Sequence, residues 1–96
     1  MSDFQFEIIT PESTFYTGTV SSLVLPGTNG YFGILAHHAP LIARSNGGKL
    51  KVRNQSGEQR FQIGPGTIEV LHNRVTLLTK QAEASPGAQA PQESKN

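Results

Sequence analysis

Hydrophobic and polar residues alternate along most of the first eighty positions. The clearest case is the opening run, in which Phe4, Phe6 and Ile8 are separated by Gln5 and Glu7. A period of two places one side of an extended chain on a core and the other in water, so it predicts half-buried β-strands. Runs of strand length recur near residues 3–9, 14–17, 20–25, 31–34, 40–44, 49–54, 58–63, 67–71 and 74–79.

Turn-forming residues separate these runs roughly every ten positions. Pro26–Gly30, Asn46–Gly48 and Gly64–Gly66 are the richest in glycine, proline and asparagine. Nothing before residue 80 has helical periodicity, and Pro40 interrupts the nearest candidate, residues 36–45. The sequence therefore predicts an all-β fold, an antiparallel two-sheet β-sandwich of about eight to ten short strands.

The composition changes near Lys80. Residues 81–96 contain no Val, Ile, Leu, Phe or Tyr, and so have little apolar surface to offset the entropy of ordering. We therefore predict a β-sandwich domain over residues 1–80 and a disordered polar tail over residues 81–96. The absence of cysteine excludes disulfides and thiolate metal sites, and the sequence shows no signal peptide or apolar run of membrane-spanning length. A small cytosolic domain is expected.

Residues for enzyme chemistry are sparse. Asp3 is the only aspartate, and the glutamates are scattered over strands and turns, so no pair of catalytic carboxylates is indicated. His37 and His38 lack the neighbouring carboxylate that a serine triad or a metal site requires. The glycine repeat of residues 27–33 leads into a strand without a lysine, which favours tight turns over a phosphate cradle.

Basic residues cluster in the middle of the chain. Lys49, Lys51 and Arg53 share one face of a predicted strand, and Arg44 and Arg60 lie nearby. A solvated strand face is the simplest interpretation. The alternative is a small β-barrel nucleic-acid-binding protein that uses strand 49–53, whose binding would weaken steeply with salt. No aromatic residue interleaves with these basic residues, so the usual stacking partners of nucleic-acid bases are missing. The absence of tryptophan argues against a carbohydrate-binding sandwich.

An apolar stretch without alternation lies between the strands. Residues 31–35 and 39–42 carry more large hydrophobic side chains than a small sandwich easily covers. These residues either face a protein partner or form a continuous buried strand, and the sequence leaves both open.

Several segments resemble the ε subunit of the F-type, proton-translocating ATP synthase. The stretch LPGTNGYFGIL at residues 25–35, followed by His38-Ala39-Pro40-Leu41, is close to the pattern of that family, and similarity extends in order over residues 4–79. The sequence departs from the pattern at two places. His37 stands where relatives usually have glycine, and Asn29 and Tyr31 are neutral in a turn that is acidic in many relatives.

The resemblance implies a non-catalytic central-stalk subunit. Such a rotor subunit would couple ion flow through the c ring to ATP synthesis in the αβ head by binding the γ subunit and the c ring. It would use no cofactor, metal or nucleotide, and would bind neither small molecules nor nucleic acid directly. It would join the membrane only through the complex, at the cytoplasmic face of the bacterial plasma membrane or the equivalent face in an organelle.

The resemblance also assigns contact residues. The c-ring contact falls on the turn Thr28, Asn29, Gly30 and Tyr31 together with His38, which is expected at the same end of the sandwich. The γ-subunit contact falls on Thr10, Phe32, Leu41 and Ile42. Because residues 81–96 have no apolar stripe, we expect a short form that lacks the C-terminal helical hairpin and makes little or no contact with the α and β subunits.

Overall fold

The computed structural model describes residues 2–85, which form ten β-strands and no helix. Within these residues there is accordingly no helix that is long and apolar enough to cross a bilayer. The predicted all-β fold is confirmed. The strands are β1 Phe4–Ile9, β2 Thr14–Val20, β3 Ser22–Gly27, β4 Gly30–Leu35, β5 Leu41–Ser45, β6 Gly48–Asn54, β7 Gly57–Ile63, β8 Gly66–Leu71, β9 Arg74–Thr79 and β10 Ala82–Ala84.

The strands form two five-stranded sheets. Sheet 1 has the order β2-β1-β9-β8-β5, and sheet 2 has the order β10-β7-β6-β3-β4. The alternating hydrophobic residues of both sheets meet in a single core, as the period of two requires. The buried hydrophobic side chains are Phe4, Phe6, Ile8, Val20, Leu23, Leu25, Ile34, Leu50, Val52, Phe61, Ile63, Ile68, Val70, Val75 and Leu77.

One strand pair departs from the predicted antiparallel arrangement. Strands β1 and β9 pair in parallel, from Gln5 opposite Arg74 to Ile9 opposite Leu78. Alternation specifies which face of a strand is buried but not which strand lies beside it, so the sequence pattern carried no information on this pair. The intervening chain, residues 10–73, is long enough to make the crossover without a helix.

The boundary predicted at residue 80 lies too early. Strand β10 pairs with the edge strand β7, and Ala82 packs against the core while lying opposite Ile63. Backbone hydrogen bonds hold this segment, because Gly64 N donates to Gln81 O at 2.9 Å and Ser85 N donates to Arg60 O at 3.0 Å. Pairing that depends on the backbone leaves no trace in side-chain hydrophobicity. The rest of the predicted tail, residues 86–96, lies outside the described residues.

The sandwich has two ends, at which different connections meet. One end, here called the turn end, carries the connections at residues 10–13, 28–29, 46–47 and 64–65. The opposite end carries residues 36–40, 55–56 and 72–73. Strand β4 runs from the turn end to the opposite end, and its six residues span about 20 Å at the usual rise per residue.

Candidate functional site

The predicted c-ring turn projects from the turn end. Thr28 and Asn29 form the two-residue connection between β3 and β4, and both are exposed. The next residue, Gly30, has a φ of 119°, a conformation that residues with a Cβ rarely adopt. Tyr31 follows at the start of β4 with 59% of its surface exposed. The turn is therefore polar and accessible, and its path suits glycine at position 30.

The side chain of Tyr31 is held in place although it is exposed. The pairing of β3 with β6 ends at Val24 opposite Lys51, and Pro26, two residues further along β3, has no N–H to continue it. The Tyr31 hydroxyl accepts a hydrogen bond from the Lys49 backbone N–H at 3.4 Å. The ring thus covers the place where the two strands separate, and one edge of the turn is anchored to the sheet.

The structure does not bring His38 to this turn. His38 follows β4 at the opposite end, about the length of that strand from Thr28, so the expectation that both lie at one end is wrong. There, the backbone N–H of His37 donates to Asn73 Oδ1 at 2.7 Å, and Asn73 Nδ2 donates to Asp3 O at 3.0 Å. The resemblance gave the order of these residues along the chain, but not the direction of the strand between them.

His37 adopts a left-handed backbone conformation. Its φ is 64°, in a region that favours glycine and that histidine tolerates better than most residues. This conformation gives a physical reason for the glycine that the family pattern has at this position. His72 and Asn73 also have positive φ, at 51° and 60°, as both central residues of a tight type I′ hairpin must.

The four residues assigned to the γ contact differ in accessibility. Ile42, on the outer face of β5, is 74% exposed. Phe32 and Leu41 are half-buried and pack against the core, so each shows a partner only part of its side chain. Thr10 closes the 10–13 turn at the turn end, where its hydroxyl donates to Ser13 O at 3.2 Å. The apolar stretch considered in the sequence is therefore partly core and partly surface.

A shallow hollow lies beside Thr10 on the outer side of sheet 1. Its volume is about 540 Å³, and Ile9 and Leu78 supply apolar walls while Arg44 and Lys80 supply cations. Leu78, which is 48% exposed, was not among the predicted contact residues. Its signal in the sequence is the break in alternation at Leu77-Leu78, where two adjacent leucines must point to opposite faces.

The basic residues of β6 share the outer face of sheet 2, as predicted. Lys49, Lys51 and Arg53 alternate there with the buried Leu50 and Val52. Glu58, on the neighbouring strand β7, forms ion pairs with Arg53 at 3.2 Å and with Arg60 at 2.7 Å. The hydrogen bond from Arg60, with further attraction from nearby cations, lowers the pKa of Glu58 below its usual value.

An aromatic ring borders this basic face, which the sequence did not indicate. Tyr31, Lys49 and Lys51 line a shallow hollow of about 330 Å³ together with Val24, Leu50 and Arg60. Tyr31 comes from β4, two strands away from β6 in the sheet, so only the folded sheet brings it near the lysines.

The side chains that commonly bind metals are dispersed within residues 2–85. No three histidine, aspartate or glutamate side chains there are grouped so as to hold a metal ion. Burial raises the pKa of Tyr16, and a hydrogen bond with the Asn54 side chain lowers it by a smaller amount. Tyr16 packs against Phe6 and Phe61 with ring centroids 5.7 and 5.4 Å apart, so it belongs to the core edge.

The chain matches one protein family over nearly all its described length. The family described as ATP synthase, Delta/Epsilon chain, beta-sandwich domain matches residues 3–85. An ATP synthase epsilon chain of Chlorobaculum tepidum is 39% identical over 79 residues, which are 81% of this chain and 90% of the relative. One of Leptospira borgpetersenii is 44% identical over 72 residues, which are 75% of this chain and 57% of the relative.

Solved structures share the fold. A chain of the Euglena gracilis mitochondrial ATP synthase, in a structure of OSCP, F1 and the c-ring, superposes with a TM-score of 0.80 at 19% identity. The match covers 85% of this chain and 53% of the Euglena chain. A chain of the Tetrahymena thermophila mitochondrial ATP synthase central stalk and c-ring gives a TM-score of 0.71 at 19% identity. That match covers 95% of this chain and 73% of the Tetrahymena chain. This chain therefore spans little more than half of some relatives.

Proposed function

The chain belongs to the ATP synthase delta/epsilon-chain β-sandwich family, and from this premise we propose that it joins the γ subunit to the c ring in the rotor. The epsilon chain is a stalk subunit and not a catalytic one. The proposed role is to couple ion flow through the ring to ATP synthesis in the αβ head. The complex would place the chain at the cytoplasmic face of the bacterial plasma membrane, or at the equivalent face in an organelle.

The turn end supports the c-ring contact, and the anchored Tyr31 is the observation that carries the proposal. A surface that transmits torque must keep its shape under load. Gly30 permits the tight path of the turn, and the hydrogen bond from Lys49 to the Tyr31 hydroxyl ties the turn to sheet 2. Because Thr28, Asn29 and Tyr31 are neutral, the contact would rely on hydrogen bonds and on packing of the tyrosine ring.

The outer side of sheet 1 supports the γ contact. Ile42 is well exposed, and Thr10 borders the hollow walled by Ile9 and Leu78. Exposed apolar side chains with a polar surround are typical of a protein interface. His38 lies at the other end from the turn, so we assign it to neither the c-ring contact nor the γ contact.

The experiment is assembly with the purified γ subunit and c ring. The wild-type chain should be recovered with both and should hydrolyse no nucleotide alone. Tyr31→Asp should weaken recovery of the c ring at least about tenfold, since it removes the ring and places a charge at the contact. Tyr31→Phe, which loses only the hydroxyl, should have a smaller effect.

Two controls separate the contacts from the fold. Leu71→Asp introduces the same charge at an exposed leucine at the opposite end and should leave c-ring recovery unchanged. Ile42→Asp should weaken γ recovery without unfolding the chain. If the folded wild-type chain recovered neither the γ subunit nor the c ring, the proposed function would be overturned. If Tyr31→Asp recovered the c ring fully, the assignment of the turn to the c-ring contact would be wrong.

A further inference from the structure

We propose that the free edge of β4 binds an extended acidic segment of the γ subunit as an added β-strand. This inference rests on the proposed function and specifies how γ is held. Strand β4 is the last strand of sheet 2, so one side of its backbone has no strand partner among residues 2–85. An unpaired edge of this kind is a template for another chain.

The pairing of β3 with β4 shows which backbone groups are free. Pro26 lies opposite Tyr31 and has no N–H, so this pair is of the non-hydrogen-bonded type. Alternation along the ladder then directs the N–H and C=O groups of Tyr31, Gly33 and Leu35 away from β3. These three residues therefore offer three donors and three acceptors along the open side of the sheet.

Strand β4 lacks the features that protect two of the other three edges. The seven-residue β2 also has no charge and no proline, but β10 has only three residues and carries Glu83, and β5 follows Pro40 and carries Arg44. By contrast, β4 has six residues, no charge and no proline. Charges, prolines and short length are the usual means by which proteins discourage edge pairing, and β4 has none of them.

The outer face of β4 is open at the middle of the strand. A Cβ placed on Gly33 would point out of the sheet and meet only the Leu23 carbonyl oxygen, at 3.6 Å, so nothing else in residues 2–85 covers Gly33 on that face. Leu35 is 66% exposed and would flank an added strand with apolar surface. The edge strand of sheet 1 on the same side is β5, and it carries Ile42, so the edge continues the proposed γ surface.

Charge favours an acidic partner over a second copy of this chain. Residues 13–57, which include β4 and β5, contain no aspartate or glutamate and carry Arg44, Lys49, Lys51 and Arg53. Arg44 lies beside the start of β4, in a shallow hollow of about 360 Å³ lined also by Gly27–Phe32 and Ala43. Two copies paired through β4 would bring two such basic stretches together, whereas an acidic strand would place a carboxylate beside Arg44.

The test compares two substitutions of Gly33 in the full chain. Gly33→Pro removes the outward N–H and puts a ring in the path of an added strand, while the inner ladder keeps its hydrogen bonds. Gly33→Ala adds a methyl group and keeps the N–H, and serves as the matched control. We expect Gly33→Pro to weaken binding of purified γ at least about tenfold and Gly33→Ala to change it less than about threefold.

Amide hydrogen exchange gives a second readout on the wild-type chain. The amides of Gly33 and Leu35 should exchange quickly in the free chain and become protected when γ binds, whereas those of Phe32 and Ile34 should be protected in both states. Binding of γ without protection of Gly33 and Leu35 would overturn the strand addition and leave the proposed function standing. Absence of any γ binding would overturn both, and protection caused by dimerisation alone would overturn the choice of partner.

Discussion

Glycine-to-alanine substitutions in two strands should differ strongly in their effect on stability. Gly66 begins β8, between Thr79 of β9 and Ser45 of β5. A Cβ placed on Gly66 would overlap the carbonyl oxygen of Leu78 and lie 3.0 Å from its carbonyl carbon. Both atoms belong to the backbone of a central strand, so no side-chain rotation can relieve the overlap. Gly66→Ala must therefore move β8 away from β9.

The cost follows from the groups that must move. Overpacking of this kind costs about 1–3 kcal/mol, and each ladder hydrogen bond that is weakened adds up to about 1 kcal/mol. We therefore expect Gly66→Ala to lower the free energy of unfolding by about 2–4 kcal/mol, a large fraction of the roughly 5–15 kcal/mol of a small domain. The corresponding fall in Tm is roughly 10–30 °C.

Gly33→Ala provides the comparison, because its Cβ meets nothing closer than 3.6 Å. The same chemical change should be neutral there or stabilise by up to about 1 kcal/mol, since alanine restricts the unfolded chain. Urea unfolding followed by far-ultraviolet circular dichroism measures both variants under the same conditions. If Gly66→Ala proved no less stable than Gly33→Ala, the steric argument would be wrong.

Two further predictions concern the core edge and the basic face. Thr79→Val should cost about 1–3 kcal/mol, because the buried Thr79 hydroxyl lies 2.9 Å from Gly64 O, 3.2 Å from Pro65 O and 3.1 Å from Gln81 O. Thr79→Ser should keep most of that stability. The midpoints of urea unfolding of the two variants provide the comparison. Single- and double-stranded oligonucleotides should show no binding at low salt, because Glu58 pairs with two of the basic side chains. Binding that falls steeply as salt rises would instead favour the nucleic-acid alternative.

The strands were predictable because each one satisfies its own local rule. The alternation of Phe4, Phe6 and Ile8 required no knowledge of the rest of the chain, and the buried faces agree with it. Strand β10 was missed because Ala82-Glu83-Ala84 has no such pattern and is held by backbone pairing with β7. The parallel pairing of β1 with β9 was missed because strand order depends on the path of the whole chain.

The candidate site was predictable in its parts but not in its arrangement. The turn at Thr28 could be identified from glycine and asparagine alone. The hydrogen bond between Tyr31 and Lys49 joins residues eighteen positions apart, at the place where the pairing of β3 with β6 has ended. His38 was placed at the wrong end because a motif records order along the chain, whereas β4 carries the chain across the molecule between the two parts of the motif.

The position of β4 has a consequence for how the proposed contacts would share load. The turn lies at the start of β4 in sheet 2, while Ile42 lies on the outer face of sheet 1. Force applied at the turn would therefore reach the γ surface through the core, in which Ile34 is buried and Phe32 and Leu41 are half-buried. A close-packed interior deforms little, so the stiffness of the coupling would depend on this packing more than on any loop. A strand of γ added to β4 would shorten that path, because the partner would then hold the same strand from which the turn projects.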